Sequence, residues 1–152
     1  MISMSILYMK EKPRIIGLDV GDKTIGVAVS DPMGWTAQGL GVIQRQSIQK
    51  DLKALSLWVH EYKPYKIIVG LPLNMNGSLS QQAEKNENFS HALQKKWGKY
   101  LTLENWDERL STQQAEKILL EADMSRNKRK TVIDKMAAVL ILQNYLDSCE
   151  KE

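Results

Sequence analysis

Asp19, the adjacent pair Asp107 and Glu108, and Asp134 are the residues whose type and position are best suited to chemistry. All are short anionic oxygen donors, and neither histidine nor cysteine stands beside them in the chain. An all-oxygen site of this kind suits Mg²⁺ or Mn²⁺ rather than zinc. One or two such ions, about 4 Å apart if paired, would polarise a phosphodiester, activate water and stabilise the departing oxygen of an in-line displacement. Asp19 would then bridge the ions, with Glu108 and Asp134 each holding one.

Each acid also has an ordinary use. Asp19, within Asp-Val-Gly-Asp-Lys, fits turn chemistry. Asp134 follows Thr131 at the spacing of a capping box. Asp107 and Glu108 suit a solvated loop, with Arg109 paired to one of them, and Asn74 and Asn76-Gly77 suit turns. The cations Arg126, Lys128, Arg129 and Lys130 fall within five residues that lack apolar periodicity. They read as a basic loop, either merely solvated or in contact with phosphates. Lys23, Asn74 and Arg109 complete the candidate nucleic-acid contacts. His60 and His91 have no matching partner and receive no role. The four tryptophans read as packing residues, and Trp35 and Trp106 are expected to adjoin the acidic edge.

Acids this far apart in sequence need a scaffold that converges them. Arg14 to Asp31 reads as two apolar β-type runs around a Gly-Asp-Lys turn, a hairpin, and Trp35 to Ile43 supplies a third strand. Ile48, Leu52, Leu55, Val59 and Tyr62 recur at helical spacing, and Pro64 ends that helix. Lys66 to Gly70 is a short continuous apolar run, typical of a strand buried on both faces and entered by a parallel crossover. Ser78 to Trp97 is expected to be a helix and Tyr100 to Trp106 a strand. A further helix is expected from the capping-box spacing at Ser111 to Gln114, and a closing amphipathic helix from Thr131 to Ser148. The parallel strands would end at one edge, carrying Asp19, the Leu71-Pro72-Leu73-Asn74 loop and Asp107-Glu108-Arg109 together, while the closing helix would bring Asp134 in its first turn.

The string βββαβαβα plus a final helix describes one α/β domain. We expect that domain to cover residues 14–152, with residues 1–13 as a flexible extension in which Met1, Met4 and Met9 are alternative starts. At 152 residues and 43% hydrophobic composition, there is material for one core and not for two. The single cysteine, Cys149, excludes an intrachain disulfide and a Cys-rich zinc site, and points to a reducing compartment. The apolar start, Ile2 to Met9, is far shorter than the ~20 residues of a membrane span, so a cytoplasmic protein without membrane contact is expected. A net charge of +3 does not by itself announce a nucleic-acid binder.

Four segments in this order resemble the YqgF family, also called RuvX, a family of Holliday-junction-resolvase-like proteins linked to maturation of the 5′ end of small-subunit ribosomal RNA. They are Gly-Leu-Asp-Val-Gly-Asp-Lys-Thr-Ile-Gly-Val-Ala-Val-Ser-Asp from Gly17, Val-Gly-Leu-Pro-Leu-Asn-Met-Asn-Gly from Val69, Asp-Glu-Arg-Leu-Ser-Thr from Asp107, and Asp134 opening a helix rich in Ala, Ile and Leu. The likeness runs from about Arg14 to Leu146. It implies a ribonuclease-H-like fold, with a five-stranded mixed sheet whose first three strands are antiparallel, flanked by helices. It also implies an acidic site at Asp19, at the pair before Arg109, and at Asp134. Related resolvases place an acid after the fourth strand, where this chain has Leu-Pro-Leu-Asn, so the fifth-strand loop would substitute, through Glu108 in preference to Asp107. Thr24 stands where many members carry arginine, and Lys135-Met136 replaces small residues.

The function implied is metal-dependent phosphodiester hydrolysis on structured RNA, in 5′-end maturation of pre-16S rRNA, by a monomer or weak homodimer. The same chemistry on branched DNA is the first alternative, and a catalytically silent RNA-binding assembly factor is the second. An actin-like ATPase, which also opens with a strand and Asp-x-Gly, needs two lobes where this chain can build one.

Overall fold

The computed structural model describes residues 12–71, 81–107 and 126–150, with side chains described at 12–70, 87–106 and 135–149. Its centre is a five-stranded sheet in the order β3-β2-β1-β4-β5, formed by β1 (Ile15–Val20), β2 (Thr24–Ser30), β3 (Ala37–Gln44), β4 (Lys66–Leu71) and β5 (Thr102–Asp107). β1 and β2 are antiparallel, as are β2 and β3, while β4 runs parallel to β1 and β5 parallel to β4. This is the mixed sheet expected from the sequence. The β1–β2 turn is Gly21-Asp22-Lys23, closed by the Gly21 N–H donating to Thr24 O at 2.8 Å.

Apolar residues on both sides of the central strands supply both faces of the sheet. Ile16, Leu18, Val20, Ile25, Val27 and Val29 face one side, where they pack with Leu52, Leu55 and Val59 of α1 (Ile48–Tyr62) and with Phe89, Leu93 and Trp97 of α2 (Gln81–Trp97). Ile15, Ala28 and Ile68 face the other, beneath Ala138, Ile141, Leu142, Tyr145 and Leu146 of α3 (Arg126–Glu150). Alternation at period two across two helical layers is what a sheet covered on both faces requires.

α1 begins at Ser47, whose hydroxyl accepts from Lys50 N at 3.2 Å. Its last helical residue is Tyr62, two before Pro64, the proline expected to end it. Proline disfavours helical geometry in the residue before it, and Lys63 takes a left-handed conformation (φ 47°) while its N–H donates to Val59 O. β5 starts later than Tyr100, because the N–H groups of Tyr100 and Leu101 both turn back onto Trp97 O. The helix expected around Ser111 to Ala122 lies outside the described residues, as do residues 1–11 of the expected extension.

α3 lies across a row of small residues. Gly39, Ala28 and Gly17 are in register on β3, β2 and β1. A Cβ on Gly17 would stand 2.8 Å from Leu142 Cβ, and one on Gly39 would meet the Lys135 side chain. Helix and sheet approach this closely because those positions carry no side chain. At the β3 edge, Gln143 accepts from Ala37 N at 2.9 Å and donates to Trp35 O at 3.0 Å, pinning the start of that strand to the helix.

Two expectations about this helix are corrected. Arg126, Lys128, Arg129 and Lys130 belong to its opening turns and do not form a loop. The helix begins five residues before Thr131, so Thr131 is not a cap and Asp134 is the ninth helical residue, outside the first turn. The reason is that Arg and Lys are good helix formers, so an absence of apolar periodicity there is as compatible with a helix as with a loop.

Candidate active site

Asp19 is the penultimate residue of β1, half-buried, on the α3 side of the sheet. Gly26 of β2 is its partner on one side. On the other, Leu18 pairs with Val69, so the next β4 position is Gly70, which in turn pairs with Trp106 of β5. The row reads Gly26, Asp19, Gly70, Trp106. Cross-strand neighbours normally bring Cβ atoms to within about 4.5–5.5 Å of each other. Here neither neighbour has a Cβ, so in this row the carboxylate is the sole side chain across three adjacent strands, and both flanking glycines are buried.

β1, β4 and β5 are mutually parallel, so their carboxyl ends emerge at one edge, the position where open α/β sheets collect ligands. Asp107 is the last residue of β5, in register with Leu71, one step beyond the Asp19 row. Glu108, Arg109 and Asn74 follow these strands and lie outside the described residues.

The direction of α3 sets the end of the sheet towards which its opening turns lie. Tyr145 lies at the start of β4, where its hydroxyl accepts from Lys66 Nζ at 2.7 Å, whereas Ala138 and Leu142 sit over Gly17. The helix therefore runs antiparallel to β1, and its backbone N-terminal to Ala138, position 134 included, continues towards the carboxyl end of that strand. Among the described residues no three His, Cys, Asp or Glu side chains converge; of the candidate acids only Asp19 has its side chain described.

The turn that follows Asp19 is held by a pair the sequence reading did not single out. Arg45 donates through Nε to the Asp51 carboxylate at 3.2 Å, through Nη1 to Gly21 O at 2.9 Å, and through its backbone N–H to Lys23 O at 2.9 Å. Its guanidinium also lies 5.3 Å from the centroid of Phe89. Asp51 is 2% exposed and also accepts from Gln46 N at 3.0 Å. Both shoulders of the turn bearing Lys23 are thus fixed from the start of α1. These residues line an open cleft of about 360 Å³ with Asp22, Ser47 and Asn88. The available signal was an aspartate four residues after a serine cap, on the otherwise apolar side of α1.

Trp106, in the Asp19 row, adjoins the acidic edge as expected. Trp35 does not: it lies in the β2–β3 connection, next to the start of β3 and at the opposite end of the sheet, 56% exposed. That opposite end also holds Lys66, whose ammonium is kept above the usual lysine range by Tyr145 first and Glu104 second, against the effect of burial. No helix among the described residues is long and apolar enough to cross a membrane.

The family profile for RuvX, described as Holliday junction resolvase, matches residues 13–148. A protein of Desulforamulus reducens named "Putative pre-16S rRNA nuclease" is 58% identical over 138 residues, covering 91% of this chain and 99% of its own. One of the same name from Clostridium tetani is 53% identical, with 89% and 96% covered. Among solved structures, T. thermophilus RuvC in complex with Holliday junction substrate superposes with a TM-score of 0.58 at 13% identity, covering 92% of this chain and 97% of that one. The fowlpox virus resolvase with Holliday junction DNA gives 0.59 at 12%, covering 90% and 98%. The ribonuclease-H-like fold expected from the sequence is the fold shared with these resolvases.

Proposed function

This chain belongs to the RuvX family, and from that membership we propose that it is a nuclease that hydrolyses phosphodiester bonds with the help of Mg²⁺ or Mn²⁺, in maturing the 5′ end of pre-16S rRNA. The observation that carries the reading is the glycine-flanked Asp19 at the edge where β4 and β5 also end. The relatives named for pre-16S rRNA match over nearly their whole length, which supports that substrate.

Asp19, Glu108 and Asp134 would hold the cation, with Asp107 as the alternative to Glu108, and the donor set fits a hard divalent ion. The ion supplies Lewis-acid activation of the phosphodiester. The chain's own residues do the rest: the two glycines leave the Asp19 carboxylate without a flanking side chain, Lys23 and Arg109 would neutralise phosphates near the edge, and Asn74 would donate a hydrogen bond to one. Arg126, Lys128, Arg129 and Lys130, on the opening turns of α3, extend the cationic surface. We further propose a single domain, a monomer or weak homodimer, and a cytoplasmic setting.

The test is incubation of wild type and Asp19→Asn with ribosomal RNA precursor and with a four-way DNA junction, in Mg²⁺ or chelator. We expect metal-dependent cleavage of the RNA by wild type alone, with equal melting temperatures for the two proteins. The family's description as Holliday junction resolvase favours one second reading, resolution of branched DNA; cleavage of the junction in preference to the RNA would establish it. Wild-type-like function in Asp19→Asn would instead identify a silent assembly factor.

A further inference from the structure

The end of the sheet away from Asp19 exposes aromatic rings among lysines, and the proposed site uses none of them. Tyr65 directly precedes β4 and is 44% exposed; Tyr100, in the turn before β5, is 82% exposed. The two segments are joined by Thr102 N donating to Tyr65 O at 2.9 Å, so both rings arise from one small patch. Lys63, Lys96 and Lys99 around it are exposed, and Lys66 Nζ lies 5.7 Å from the centroid of Tyr65. Within the two segments, residues 61–66 and 96–104, the acids are Glu104, paired with Lys66 at 3.1 Å, and Glu61.

The ends of α1 and α2 account for part of this charge, because cations complement helix C-termini. They do not account for two large rings left in water beside it. Rings that can stack, set among cations that can pair with phosphates, are the combination by which proteins hold single-stranded nucleic acid without reading its sequence. We propose that Tyr65 and Tyr100, with Lys63, Lys96 and Lys99, form a second contact for single-stranded RNA, holding the part of the substrate that leads away from the acidic edge. The proposal rests on the nuclease reading for its substrate class. β4 sets the spacing: five residues from Gly70 back to Tyr65 span about 16 Å. At about 3.4 Å per stacked nucleotide, that is about five nucleotides.

The test is fluorescence anisotropy of a labelled oligo(U) with the full-length protein in chelator, for wild type, Tyr65→Ala/Tyr100→Ala, Tyr65→Phe/Tyr100→Phe and Lys63→Glu/Lys96→Glu/Lys99→Glu. We expect the alanine pair to bind about ten- to a hundredfold more weakly, the phenylalanine pair to bind as wild type, and the charge-reversed triple variant to lose binding. Wild-type affinity in the alanine pair, at an unchanged melting temperature, overturns the proposal; it would leave the patch to a protein partner. If the alanine pair does not fold, undiminished binding by the lysine variant overturns it equally. Cleavage of ribosomal RNA precursor in Mg²⁺ is followed in parallel. Weakened binding without any wild-type cleavage sinks the nuclease reading and keeps the patch, whereas cleavage with unmoved affinity does the reverse.

Discussion

Arg45 and Asp51 stand 3.2 Å apart beneath the turn that follows Asp19, and the same guanidinium holds Gly21 O. Removing one partner of a buried pair leaves the other charge without compensation, at a cost of about 3–5 kcal/mol. Arg45→Met should therefore lower stability to urea by about 3 kcal/mol. Arg45→Lys should lose less, since it keeps a charge for Asp51 but cannot reach Gly21 O with the same fork. Equal losses in the two variants would show that the fork geometry is immaterial.

Gly17 and Gly39 share one register row but should respond differently to alanine. At Gly17 the new methyl meets Leu142 Cβ and lies 3.4 Å from Ala138 O, atoms fixed to the helix backbone. Such overpacking costs about 1–3 kcal/mol, and displacement of α3 should reduce cleavage with it. At Gly39 the obstacle is the flexible Lys135 chain, so Gly39→Ala should stay within about 0.5 kcal/mol of wild type. Thermal melts of both variants compare them directly.

Asp31 gives a pH-dependent contribution. Burial pushes its carboxyl upward, but N–H donors from Trp35, Thr36 and Gly34 outweigh this and hold it below the usual value of 3.8. A depressed folded pKa stabilises above the unfolded value and is lost as pH falls through the folded one. Asp31→Asn should melt below wild type at neutral pH, and the gap should close on acidification below about pH 4. A gap that stays constant down to strongly acidic pH would contradict the assignment.

Neutralising Arg126, Lys128, Arg129 and Lys130 to glutamine should weaken RNA binding and flatten its salt dependence. Each lost phosphate contact removes about 0.7 from the slope of log affinity against log salt for a single strand. Titrations at several salt concentrations read this out, and an unchanged slope would remove these residues from the interface.

The sheet was legible because its strands are bounded by local signals. Gly21-Asp22-Lys23 marks the hairpin, and Ile67 to Gly70 is apolar at every position, as a strand covered on both faces must be. The start of α3 was not, because Arg126 to Lys130 include no apolar residue and so give no hydrophobic period to detect. Asp19 could be picked out by its neighbours in the chain. Its glycine flanks could not, since Gly26 and Gly70 are set beside it by strand register across distant segments. The Arg45–Asp51 pair was hidden likewise: six residues separate its members, but its purpose is visible only in contacts to Gly21 and Phe89.

Among the described residues, one face of the sheet is covered by α3 alone, the last of the described helices to be made. Ribosomal synthesis delivers β1 to β5 first, so Ile15, Ala28 and Ile68 emerge before Ala138, Leu142 and Tyr145 exist to cover them. These apolar residues therefore wait for α3, and position 134 of the chain arrives in the same helix that covers them.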